Sequence, residues 1–297
     1  MKIDDRNKKF IINTAICGSF GVLYGGMRSV SKSIGKFEKE FMKNVKPEYF
    51  SYLNSEELQS VQKLLNKGMT EKELNMFSRI WKIPDKKQFL EEALNIFIGD
   101  TGYKYLKPKL TYDISDNDGF FKWTDFSINI PRLEKRSKVD ILGVLKHEMV
   151  HFKQYVSMLR TEGIGADCIL ENEKENIFNR LKNDAGFMKN KSESEAKLIA
   201  NYYNNLYRDI LSLREQIAVE ALGPIPANSA EGKKARKYLE AVKSYVSVNR
   251  FSDYTDVKKY EKNLLEQEAF PAGEALVDKY GDFILTLAED KKKLQVK

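Results

Sequence analysis

The spacing of apolar residues along the 297-residue chain changes period twice. From about residue 55 to 98 they recur at intervals of three and four, the helical period. Ser55, with Glu56 and Glu57 behind it, opens a helix that ends near Gly68. Thr70 to Glu73, "TEKE", is a capping box that opens a second, which stops before Pro84. "DKKQFLEEALNIF", from Asp85 to Phe97, predicts a third helix, ended around Gly99 and Gly102. After residue 102 the period falls to two. "PKLTYDIS" and "FFKWTDFSINI" alternate in polarity and are rich in β-branched and aromatic residues, and the turn sequence "DNDG" between them predicts an antiparallel hairpin, closed by Pro131. The helical period then returns. Ser137 is an N-cap with Asp140 in the first turn, and its helix runs to about Arg160, where "EGIG" breaks it. Residues 161 to 253 read as further helices, one from about Glu193 to Leu222 stopped by "GPIP", another from Ser229 to about Ser247. The end of the chain is helical in pattern, with a break or kink expected at Pro271 and a solvated tail, "EDKKKLQVK".

This pattern predicts a predominantly helical α+β fold in which a small antiparallel sheet packs on the helix at 137–160. It divides the chain into an apolar glycine-rich segment at 1–30, a helical region at 31–102, the hairpin and its helix at 103–160, a helical insertion at 161–253, and a C-terminal helix with a charged tail at 254–297. No repeat period is visible.

Composition narrows the class. A chain that is 42% hydrophobic, with 50 basic and 43 acidic residues, can bury a sizeable core and is not of the disordered type. The net charge of +7 comes from lysines spread along the chain rather than gathered in a block, and no nucleic-acid-binding signature accompanies it, so nucleic acid is disfavoured as a partner. Cys17 and Cys168 are too few for a disulfide framework or a thiolate zinc site. Residues 10–27, "FIINTAICGSFGVLYGGM", carry no charge and contain a Gly21-x-x-x-Gly25 spacing. That segment is open to three readings: a helix packed in the protein or against an assembly partner, a membrane-associated segment, or a signal peptide, the last fitting least because no small-residue cleavage site follows. A cytoplasmic or membrane-associated location is therefore favoured over secretion.

Candidate chemistry concentrates in one helical turn. The two histidines of the chain, His147 and His151, lie four apart in "LKHEMVHFKQ", with Glu148 directly after the first. Spacing of four puts both imidazoles on one helix face, one turn apart, where they can share a Zn²⁺ ion. Glu148, rotated by about 100°, can flank the metal without ligating it and move a proton. Placed on the same wheel, Ile141, Val144, His147, His151, Tyr155, Met158 and Leu159 form one inward stripe, while Lys138, Lys146, Lys153 and Arg160 fall on the side expected to face water.

At this point the chain resembles the zincin metallopeptidases, in particular the gluzincin-like group: "HEMVH" matches their HExxH helix at every defined position. The resemblance covers residues 103–160 and the segment near 266. It implies zinc-dependent hydrolysis of peptide bonds, Zn²⁺ as cofactor, Glu148 as general base, His147 and His151 as ligands, and a downstream Glu in Glu-x-x-Ala as the third. "EQEA", Glu266 to Ala269, fits, with Phe270 where the family has an acidic residue. Glu268 competes two residues away, but the apolar residues around it centre near Glu266 and far from Glu268, which favours Glu266. Glu171, Glu173, Glu175 and Glu220 stay open as further carboxylates. The strand "FSINI" stands where the family places an edge strand that pairs with an extended protein or peptide substrate. An oxyanion donor would have to be a Tyr, Arg or Lys, with Tyr260, Tyr254 and Arg250 the candidates near Glu266.

Two other classes compete. One is a structural or membrane-interacting component of a virion or secretion assembly, carrying a zincin-like fold with minor or vestigial activity and using residues 10–27 to meet its partner. The other is a deformylase-like hydrolase, disfavoured because neither cysteine stands where such a ligand is needed.

Overall fold

The computed structural model describes Leu64, residues 69–81, 83–99, 101–113, 118–246, Ser252 and 254–295. The segment 10–27, the helix expected at Ser55–Gly68 except for Leu64, and Arg250 lie outside the described residues. Among those described, the order is α1 (Glu71–Ile80), α2 (Lys86–Ile98), β1 (Lys109–Thr111), β2 (Phe120–Lys122), β3 (Ser127–Asn129), α3 (Lys138–Arg160), α4 (Gly165–Asn183), α5 (Ala185–Asn190), α6 (Glu193–Leu222), α7 (Ala230–Lys243), α8 (Tyr254–Lys262) and α9 (Leu264–Gln295). The fold is α+β and predominantly helical.

Local chemistry sets most helix starts. Thr70 closes a full capping box on α1, Ser192 does the same on α6, and the side chains of Asp85, Ser137 and Ser229 each accept a backbone N–H at the third position of their helices. Helix α7 ends at Lys243, four residues short of the expected boundary. Of the break or kink expected at Pro271, there is no break: α9 runs through it, and the interruption lies instead at Asn263, whose side-chain oxygen accepts from the Leu265 N–H while its amide donates to Ala241 O. A capping side chain supplies a helix start there, whereas proline costs α9 one interior hydrogen bond that burial of its flank offsets.

The sheet corrects the expected hairpin. "DNDG" does not join an antiparallel pair; β1 runs parallel to β3, and the antiparallel pair is β2 with β3, both cut from "FFKWTDFSINI". The turn between them passes through Phe126 at φ 53, a left-handed conformation that no Gly or Asn in the sequence announced. A further correction follows for "FSINI". β3 is the central strand and is wholly buried, so among the described residues the edge strand beside α3 is β2.

Helix α3 is the axis of the fold. It is buried on nearly every face, between α9 on one side and α4, α6 and α7 on the other. Two of the charges expected to face water do not: the Lys138 ammonium donates to Trp81 O, and the Arg160 guanidinium donates to Leu222 O and Gly223 O, satisfying carbonyls at the C-terminus of α6. Helix α9 reaches α3 closely because both present glycine. A Cβ on Gly273 would lie 2.9 Å from Gly143 O and 3.5 Å from the His147 Cβ. An aromatic cluster of Phe77, Phe89, Tyr280 and Phe283 fills the space between α9, α1 and α2. Among the described residues, no helix is long and apolar enough to cross a membrane.

Candidate metal centre

The close crossing of α3 and α9 places Glu266, in the first turn of α9, over the inward face of α3. The His147 and His151 rings lie one turn apart, with centroids 4.8 Å apart and their Nε2 atoms separated by 3.1 Å. Glu266 Oε2 is 3.2 Å from His147 Nε2, and Glu266 Oε1 is 3.2 Å from His151 Nε2. All three side chains are buried, Glu266 completely. His147, His151 and Glu266 thus form a group that could bind a metal ion.

The hydrogen bonds behind this group decide what it can hold. The Gln154 amide donates to Leu265 O, an acceptor only, so the Gln154 Oε1 end must face His151 Nδ1 at 3.0 Å. His151 therefore carries a proton on Nδ1 and turns Nε2 towards Glu266. On the carboxylate, the Tyr245 hydroxyl donates to Oε1 at 2.7 Å, while Oε2 is buried without a hydrogen-bond donor. Two imidazole Nε2 atoms and two carboxylate oxygens face one another, an arrangement that protons on the ring nitrogens or one shared metal ion makes favourable. Without metal the cation is a proton. Burial opposes charge on His151, but the adjacent Glu266 carboxylate overrides it and raises the pKa to about 9. Burial likewise acts to raise Glu266, yet His151 and His147 pull it far below the usual carboxylate range. The orphaned Oε2 and the nitrogen donors are what a divalent ion would ligate.

Glu148 stands beside this group without joining it. Its carboxylate is buried, the Phe121 N–H of β2 bonds to it, and Oε2 has no partner. Burial raises its pKa against the lowering effect of the two histidines. Its Oε1 lies 3.3 Å from where a Cβ on Gly119 would sit, and that Cβ would also collide with Val144, so only glycine lets the chain enter β2 this close to the carboxylate.

Of the other candidate carboxylates, Glu268 bonds to Tyr238 and Lys234, Glu171 pairs with Lys174, and Glu175 pairs with Lys243. Glu173 accepts from the Tyr155 hydroxyl, and Glu220 is exposed. None joins the two histidines. Tyr254 is exposed with Lys258 over its ring, which removes it from the site. Tyr260 is buried against the rings of Tyr245 and Phe270, and Phe270 packs edge-on to His147 at 4.7 Å. Gln154 and Tyr245 are the two polar residues of the site that sequence reading missed. Gln154 had a signal, three positions after His151 on the same face of one helix. Tyr245 had none, since it follows α7 and meets Glu266 only through the packing of separate helices.

No protein family matches the chain, and neither a curated protein nor a solved structure is significantly similar to it.

Proposed function

We propose that the chain is a zinc-dependent peptidase that hydrolyses polypeptides bound in extended form. The observation that carries this reading is the buried convergence of His147, His151 and Glu266 beside a separate buried carboxylate, Glu148, with an unpartnered oxygen. The donor set favours zinc over calcium or magnesium, which prefer six or more oxygen ligands. Spacing agrees: tetrahedral bonds of about 2.0–2.2 Å set donor atoms about 3.3–3.6 Å apart, a few tenths beyond the 3.1 and 3.2 Å here. Three protein donors leave the fourth position for water or substrate, the composition of a catalytic rather than a structural site.

Zinc held by His147, His151 and Glu266 would supply Lewis acidity towards a water and the scissile carbonyl. The chain's own residues do the rest. Gln154 fixes the His151 tautomer and Tyr245 holds one oxygen of Glu266, so the other ligand atoms keep one geometry. Glu148 takes a proton from the attacking water as its oxygen bonds to the carbonyl carbon, and returns that proton to the amine as the C–N bond breaks. Burial raises the pKa of Glu148, which makes its carboxylate a better acceptor for the water's proton than an exposed one would be. β2, the outer strand, runs next to this carboxylate, to which its Phe121 N–H donates, and an extended chain would pair with the backbone groups of its outer edge that this bond leaves.

Metal analysis and one substitution test the proposal together. Purified protein should hold about one zinc per chain, His147→Ala should lose it, and Glu148→Gln should keep it while losing cleavage of unfolded polypeptide. Protein without zinc at neutral pH, or Glu148→Gln with undiminished cleavage, sinks the reading.

A further inference from the structure

Helix α6 carries an unusual amount of apolar surface. Leu198 (67% exposed), Tyr202 (64%), Leu206 (48%), Ile210 (40%) and Leu213 (55%) recur every three or four residues on one face. A stripe of this length on a water-facing helix marks a binding surface rather than scattered exposure. The structure shows where it leads. Tyr202 touches Tyr203 (centroids 6.1 Å), Tyr203 stacks on Tyr207 (6.2 Å), Tyr207 meets Trp123 edge-on (5.6 Å), Trp123 lies parallel to Tyr155 (6.3 Å), and Tyr155 meets Phe121 (5.7 Å). Phe121 is the β2 residue whose N–H bonds to Glu148, and Tyr155 lies one helical turn beyond His151. Six rings thus run without interruption from the catalytic carboxylate to the outer face of α6. Tyr155 is buried beneath the row at 7% exposure, Phe121, Trp123 and Tyr207 are partly exposed, and Tyr203 and Tyr202 at the far end are 42% and 64% exposed.

We infer that this aromatic row is a substrate-binding extension of the cleft, which takes apolar side chains of an extended polypeptide to one side of the scissile bond. The inference rests on the peptidase reading and adds its substrate class: chains with alternating apolar residues, as unfolded or β-rich segments have. Two observations commit the surface to this occupant. The row is continuous with the proposed reaction site, which a surface for an unrelated partner need not be. Its partly exposed and exposed rings, Trp123, Tyr207 and Tyr203, also stand 5.6 and 6.2 Å apart, close to the about 6.6 Å between alternate residues of an extended chain, so successive same-face side chains can each meet one of them. Tyrosine and tryptophan suit the task because they offer large rigid faces with little entropy to lose.

The test uses two ten-residue peptides with the same scissile centre, one with Leu and Phe at alternate arm positions and one with Ser and Gln. Wild-type protein should cleave the apolar-arm peptide at least about ten-fold more efficiently. Tyr203→Ser and Tyr207→Ser should each cut that preference about three-fold or more, through KM rather than kcat. Zinc-loaded Glu148→Gln, which binds without turnover, should show the same ranking when fluorescein-labelled peptides are followed by anisotropy. Tyr203 is exposed, so its variant still decides the matter should Tyr207→Ser fail to fold. Cleavage of both peptides at equal efficiency overturns the inference and leaves the peptidase reading standing. If no peptide is cleaved at all, that reading falls, and equal anisotropy for both peptides then removes the row as well. A dimer that Leu206→Glu dissociates without altering the preference assigns the stripe to a second copy of the chain, which also overturns the inference.

Discussion

Replacing Tyr245 by Phe removes one hydroxyl and leaves the ring, so the perturbation is the 2.7 Å hydrogen bond to Glu266 Oε1, together with the hydroxyl's hydrogen bond to Tyr260. A hydrogen bond to a charged group contributes about 1.5–3 kcal/mol. Only part of it is felt in metal affinity, because the bond exists with and without metal. The two states are unequal, however. Without metal, Oε1 also faces the protonated His151 at 3.2 Å and keeps a donor when the tyrosine is lost. With metal bound, that proton is gone, and Tyr245 is the remaining donor on this oxygen. Most of the loss should therefore fall on the loaded state, weakening zinc binding about 10- to 100-fold, the range expected when an outer partner of a ligand is removed. Competition against a chromophoric chelator at neutral pH measures it, with thermal unfolding of the metal-free protein as control. An affinity within about two-fold of wild type, alongside lowered thermal stability, would refute the reasoning and reduce Tyr245 to a packing residue.

Three further outcomes are expected. Gln154→Leu should cost about ten-fold in zinc affinity by releasing the His151 tautomer, and more structural stability than Tyr245→Phe because Leu265 O loses its donor as well; both follow from chelator competition and urea unfolding. Gly273→Ala should destabilise by about 1–2 kcal/mol despite a helical gain of about 1 kcal/mol, since its Cβ would meet Gly143 O at 2.9 Å, and should weaken metal binding by pushing Glu266 off the histidines; a variant as stable as wild type contradicts this. Burial raises Glu173 to about 7 although the Tyr155 hydroxyl bonds its charged form. Because its folded pKa lies above the ordinary carboxylate value, its contribution to stability is present below about pH 4.5 and lost as pH rises through about 7. Glu173→Gln should accordingly flatten the fall in unfolding free energy between pH 5 and pH 8, and parallel curves for the two proteins would exclude Glu173 as the group concerned.

Local signals carried the helices well. Thr70, Asp85, Ser137, Ser192 and Ser229 mark helix starts because a cap needs only a short polar side chain and its own next three residues. The sheet was less legible. Alternation shows which residues alternate faces and not which strands pair, so "DNDG" was read as the turn of an antiparallel hairpin whereas β1 lies parallel to β3. Lys138 and Arg160 were misplaced for a related reason: a helical wheel knows one helix, and these side chains end on carbonyls of Trp81, Leu222 and Gly223 that other segments bring.

Within the candidate site the division is the same. His147, Glu148 and His151 needed no tertiary information, since an α-helix by itself puts residues four apart on one face and their neighbour to the side. The phase of the apolar residues around Glu266 also told it from Glu268, because burial of one flank fixes which carboxylate turns inward. The meeting of the two halves was beyond any local rule. Glu266 reaches the histidines across 115 residues because Gly143 and Gly273 let α3 and α9 cross closely, and Tyr245, Gln154 and Leu265 lock the result. Helical periodicity is a property of neighbours along the chain and is written in the sequence; the distance between two helices depends on every side chain packed between them, and only the folded protein sets it.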